Sequence, residues 1–164
     1  MALRNIRTEG DEILRKQSKP VAEVNDKIRV LIEDMFDTMY EANGVGLAAP
    51  QVGILKQVVV IDDTNEHKMA LINPVLKQIG KETQVSTEGC LSLPGYQGNV
   101  VRPKKVRVTA LNPEGKKVSI VAEDMLAVIL CHEIDHLSGI LYKDKAENYH
   151  ETQSQEDGQK STDE

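Results

Sequence analysis

The pentapeptide His132-Glu-Ile-Asp-His136 constrains this chain more than any other stretch. In a helix, positions i and i+4 lie one turn apart on one face, so His132 and His136 present two imidazoles toward the same point. Imidazoles so placed can share one metal ion, and Glu133 between them can reach a water on that ion as a general base. The preceding run, Met125-Leu-Ala-Val-Ile-Leu-Cys131, has no Gly or Pro and is apolar on nearly every face. It predicts a buried helix from about residue 123, stopping near Ser138-Gly139. Imidazoles and carboxyls are rarely buried without partners, and a metal supplies one. The plain alternative is a pair of core histidines bonded to backbone groups. For the full pattern on a buried helix, the metal is the preferred reading.

With 164 residues, 40% of them hydrophobic, the chain suits one domain with a sizeable core. Its net charge of −6 is unevenly spread. From Ala146 onward Glu147, Glu151, Glu156, Asp157, Asp163 and Glu164 face only Lys160, a net of −5 that leaves −1 for the rest. A near-neutral body gives no argument for DNA or other nucleic-acid binding. The opening MALRNIRTEGDE has no apolar core of a secretory signal, and no run is long enough to span a membrane. Cys90 and Cys131 do not make a disulfide framework, and Cys131 reads as a core thiol. These features point to a cytoplasmic protein.

Residues 1–24 read as an irregular arm with a turn at Pro20. An amphipathic helix follows: Asn25 is the N-cap, and Ile28, Leu31, Ile32, Met35, Phe36 and Met39 form its apolar stripe, ended by Asn43-Gly44. Gly44 and Gly46 allow the backbone to approach a ligand closely. A dinucleotide fingerprint does not fit, because these glycines follow a helix and a third is missing. Strands are expected at 58–61, 69–72, from Pro74 to 79, at 100–110 and at 118–121. The segment 88–95 reads as a loop from its Gly and Pro content. Cys90 lies in it, and a Cys with two His makes a three-ligand set with a fourth position open for water. The basic run Arg102, Lys104, Lys105, Arg107 reads as a solvated strand face, with an RNA contact as the lesser alternative. After Lys145 the chain reads as a disordered, polar acidic tail, 146–164.

Three segments together, GVGLAAPQ (44–51), EGCLSLPG (88–95) and HEIDHLSG (132–139), resemble in order and separation the motifs of the peptide deformylases. The arm IRTEGDEILRKQSKPV resembles the usual start of that family, so the likeness runs from about residue 3 to 145. Pro-Gly after CLSL resembles the bacterial type 1 branch. The resemblance implies removal of the N-formyl group from the initiator formyl-methionine of newly made polypeptides, with release of formate. It implies Cys90, His132 and His136 as metal ligands. It further implies attack on the formyl carbon by a water that the metal would hold, with Glu133 as general base and then acid. Gln51 corresponds to a side-chain oxyanion donor and Leu91 to a backbone N–H donor, and Gly46 joins this catalytic set. The implied cofactor is one divalent metal per chain, natively Fe2+, with Ni2+, Co2+ or Zn2+ able to substitute. The implied partners are N-formylmethionyl nascent peptides and the ribosome near its exit tunnel. The acidic tail departs from the basic C-terminal helix that some members use there.

Met125, Val128 and Ile129 lie seven, four and three residues before His132 and share its helix face. With Val45 they form an apolar wall for a methionine side chain, although Val128 by itself reads as core. Glu88 and Arg102 match family positions that pair near the Cys segment. Two rivals remain. A zinc peptidase also uses HExxH, but Tyr142 stands where its commonest extended form has a third His. A non-enzymatic metal-binding or ribosome-associated module requires neither Glu133 nor Gln51. The expected fold is α+β: one domain over 1–145, with antiparallel sheets around a central buried helix carrying HExxH and an N-terminal amphipathic helix.

Overall fold

The computed structural model describes residues 2–152. Strands β1 (Gly46–Ala48), β2 (Val58–Asp62), β3 (Lys68–Gln78), β6 (Lys105–Leu111) and β7 (Lys117–Glu123) form one antiparallel sheet in that order. A second antiparallel sheet joins β4 (Thr83–Cys90), β5 (Leu93–Pro103) and β8 (Glu147–Glu151). Helices α1 (Asp26–Glu41) and α2 (Asp124–His136) complete the core.

The continuous apolar run of β2 has a simple cause. Val58, Val59, Val60 and Ile61 are each 0% exposed because the sheet is covered on both faces. Val58 and Val60 join the cluster that holds Ile28, Leu31, Ile32, Met35 and Met39 of α1. Val59 and Ile61 alternate into the cluster of Leu126, Ala127, Ile129 and Leu130 of α2. Asn25 caps α1 by accepting from the Ile28 N–H at 3.1 Å. Gly139, just past α2, takes φ +75, and a Cβ there would lie 2.4 Å from the Arg15 carbonyl oxygen. Among the described residues, no helix is long and apolar enough to cross a membrane.

Four expectations need correction. The strand expected at 100–110 is two: residues 100–103 end β5 in the second sheet, and β6 starts at Lys105 in the first. Residues 69–72 and 74–78 are not separate strands but parts of β3, which bulges between Ile72 and Val75 and ends before Ile79. Asn73 takes φ 54 at the bulge, and its amide bonds both the N–H and the carbonyl of Val21. The loop expected at 88–95 is a tight connection: β4 runs to Cys90, β5 starts at Leu93, and only Leu91 and Ser92 lie between. Gly89 and Pro94 sit inside strand ends, at a hairpin whose pairing shifts between Glu88 and Cys90. The domain does not stop at Lys145. Strand β8 pairs with β5, and Tyr149 stacks on Tyr96 with ring centroids 5.1 Å apart. Local polarity hid this strand, because β5 and one aromatic ring supply its partners. The remainder of the expected tail, residues 153–164, lies outside the described residues.

Candidate active site

Four pieces of chain meet at one cavity of about 400 Å³. Gly44, Val45 and Gly46 lead into β1, and the short 3-10 turn Ala49–Val52 carries Gln51. The end of β4 supplies Glu88, Gly89 and Cys90, and Leu91 follows them. From α2 come Met125, Val128, Ile129, His132 and Glu133. Val45 and Met125 stand exposed at the rim, while Val128, read from sequence as core, is buried and also contributes to the lining.

At the floor, one donor atom each from Cys90, His132 and His136 lies within 4.8 Å of the others. Cys90 Sγ is 3.4 Å from His136 Nε2. A tetrahedral centre with ordinary metal–sulfur and metal–nitrogen bonds separates such ligands by about 3.5 Å, so the donor set fits a metal in spacing and chemistry. Glu88 Oε1 lies 2.9 Å from His132 Nδ1, which turns Nε2 of that ring toward the cluster. Arg102 grips Glu88 at both oxygens, each at 2.8 Å, and reaches Asp135 at 2.9 Å. Arg102 is only 2% exposed, so it does not belong to a solvated basic face. Tyr142, at the position of the peptidases' third His, stacks against the His132 ring at 5.8 Å.

Electrostatics follow from this burial. Desolvation raises the Glu88 pKa, but bonds from Arg102, His132 and Ser86 overcome it and hold the carboxyl down at about 2. Desolvation likewise opposes a charged His132. Bonds to Cys90 and Glu88, with the nearby Glu133, prevail and hold its pKa well above the usual value. His136 is pushed well below the usual value, first by burial and then by His132. Burial lifts Glu133 to about 7. Its Oε1 has no hydrogen-bond partner among the described residues. The cluster thus sets a thiol beside one imidazole held charged and one held neutral, with a carboxylate oxygen of Glu133 left without a partner among the described residues.

Gln51 is 1% exposed. Its Oε1 accepts from the Ala48 N–H at 2.9 Å, and its Nε2 donates to Ser92 Oγ at 2.9 Å and to Cys90 Sγ at 3.6 Å. Gly46 lies so close to Glu133 that a Cβ on it would sit 2.6 Å from Oε2. Gly46→Ala is therefore expected to displace the carboxylate and lower turnover by about 10²-fold, the order of loss for a misplaced reacting group. Unchanged turnover in a folded, metal-loaded Gly46→Ala protein would show that the close approach does not matter. Most of the site residues expected from sequence line this cavity; His136 and Arg102 do not, and they reach it through Cys90 and Glu88. Sequence reading missed Ser92 and Asp135. Ser92 lay within the quoted Cys segment, but a lone serine gives no local signal of burial. Asp135 lay within the helix motif, and its bond to Arg102 is purely tertiary.

A helix-borne His/His pair completed by a cysteine, with a free buried carboxyl in a partly apolar pocket, suits a metal-dependent hydrolase. Comparison with known proteins narrows the class. Residues 3–152 match the family model described as polypeptide deformylase. A peptide deformylase of Acetivibrio thermocellus is 58% identical over 146 residues, covering 88% of this chain and 84% of that one. The Thermotoga maritima peptide deformylase structure matches with TM-score 0.86 and 40% identity, covering 90% of this chain and 99% of that one. The Synechococcus elongatus enzyme, solved in complex with actinonin, matches with TM-score 0.84 and 42% identity, over 88% and 79% of the two chains. The chain belongs to the polypeptide deformylase family. Its mixed fold of antiparallel sheets and two α-helices matches those structures.

Proposed function

We propose that this protein hydrolyses the N-formyl group from the initiator formyl-methionine of new polypeptides, releasing formate in the cytoplasm. The observation that carries the reading is the convergence of Cys90, His132 and His136 beside the free carboxylate oxygen of Glu133. Those three side chains would hold one divalent metal, natively ferrous iron with nickel, cobalt or zinc as substitutes, which when bound acidifies a water and polarises the formyl carbonyl.

The chain's own groups do the rest. Glu133 takes the water's proton as the formyl carbon is attacked, then returns it to the leaving amine nitrogen. A carboxyl lifted to about 7 can serve in both directions near neutral pH. The Gln51 side-chain N–H and the Leu91 backbone N–H donate to the tetrahedral oxyanion. Gly46 keeps the opposite wall thin enough for Glu133 to face the reacting carbon. Val45, Met125, Val128 and Ile129 receive the methionine side chain. Glu88, oriented by Arg102, fixes the His132 tautomer.

The test is formate release from a formyl-Met peptide by anaerobically purified protein loaded with ferrous iron. Release is expected to require the formyl group, to stop on chelation and to return with metal. Bound metal without release, or cleavage of unformylated peptides instead, would overturn the reading.

A further inference from the structure

We propose that Ser92 is a positioning residue that holds the Gln51 amide and, through it, sets the hydrogen bond received by Cys90 sulfur. Ser92 is 0% exposed, and its hydroxyl oxygen accepts from Gln51 Nε2 at 2.9 Å. A primary amide has two N–H groups. One goes to Ser92, and the other points at Cys90 Sγ, 3.6 Å away. The Ala48 N–H holds the carbonyl end of the same amide. Three partners, Ala48 on β1 and Cys90 and Ser92 at the β4–β5 connection, therefore decide which end of Gln51 faces the cluster.

The backbone reinforces this pairing. The Arg7 N–H donates to the Gln51 carbonyl at 2.7 Å, and the Glu9 N–H donates to the Ser92 carbonyl at 2.8 Å. One short stretch of the N-terminal arm thus ties together the two segments that carry the pair. With Ser92 present, one N–H is anchored and the second is left as a directed donor. It lies on sulfur in the resting site and needs only a small swing to reach an oxyanion beside it. Without the hydroxyl, the anchored N–H loses its acceptor and the amide turns further onto the sulfur. The kinetic part of this inference rests on the deformylation reading; the effect on sulfur rests on geometry alone.

The experiment compares Ser92→Ala, Ser92→Cys, Gln51→Ala and the Gln51→Ala/Ser92→Ala double variant. Each is assayed for formate release and, loaded with cobalt(II), by its thiolate-to-metal absorption band. Ser92→Ala is expected to lower kcat about tenfold with KM within about twofold, the scale of one neutral hydrogen bond. Bound metal per chain stays unchanged, and Ser92→Cys, with a weaker acceptor, falls between. Added to Gln51→Ala, the Ser92 change costs no more than about twofold further, because its route is already cut. The cobalt band shifts in Ser92→Ala against the parent protein, and does not shift between Gln51→Ala and the double variant. Equal losses in both backgrounds, an unchanged band and kcat in Ser92→Ala, or loss of bound metal would overturn the proposal. If the parent protein releases no formate, the deformylation reading falls, and the cobalt bands alone decide the role of Ser92.

Discussion

Glu133→Gln is expected to lower formate release by about 10²–10⁴-fold, the usual contribution of a positioned general base and acid. The amide has nearly the same shape, so the tight approach of Gly46 is kept and the cavity should not collapse. It can neither take the water's proton nor return one to the leaving amine. No neighbouring carboxylate can take over, because Glu88 is already bonded by Arg102, Ser86 and His132. Metal content should remain that of the parent, since Glu133 is not in the donor cluster. Turnover within about tenfold of the parent, with metal bound, would remove Glu133 from the proposed mechanism.

Arg102→Met is expected to destabilise the fold by about 3–5 kcal/mol, because it leaves a buried carboxylate without its counter-charge. Side-chain exposures of 2% for Arg102 and 4% for Glu88 leave little solvent to compensate. For a chain of this size such a loss lowers Tm on the order of 10 °C. Lysine would not restore it fully, since one ammonium cannot copy the planar fork that meets both Glu88 oxygens. The pair also has a signature in acid. The Glu88 carboxyl is held down at about 2 against an ordinary 4.5. Its contribution is therefore present above about 4.5 and is lost as the pH falls toward 2. Thermal unfolding of metal-free protein should show that acid-sensitive component in the parent and lose it in Arg102→Met. A variant within about 1 kcal/mol of the parent at neutral pH would mean that the buried ion pair contributes little.

Much of the local structure was legible in the sequence because it depends on short-range periods. The Asn25 cap, the apolar stripe from Ile28 to Met39, and the β-branched run of Val58 to Ile61 each identify their element within a few residues. Other segments misled for an equally physical reason. Gly89 and Pro94 read as loop, yet they flank a two-residue connection between strands whose pairing tolerates an irregularity. Strand β8 is polar enough to read as tail, and its order comes from the edge of β5 and the stack of Tyr149 on Tyr96. Arg102 read both as one of four strand-face cations and, by resemblance, as a partner of Glu88; the fold buries it against Glu88 and adds Asp135, which no local pattern signalled.

By itself, then, the sequence determined what the helical period and residue chemistry dictate. It set His132 and His136 four apart on an apolar run, with a carboxyl between them and a thiol elsewhere in the chain. Tertiary structure decided whether those groups meet. Cys90 reaches His136 across 46 positions, and Gln51 reaches Ser92 across 41. Such contacts depend on where two sheets and a helix come together, and that position is set by packing of the whole core. No local window of sequence encodes it, so the hydrogen bonds that aim the site's side chains became visible only in the fold.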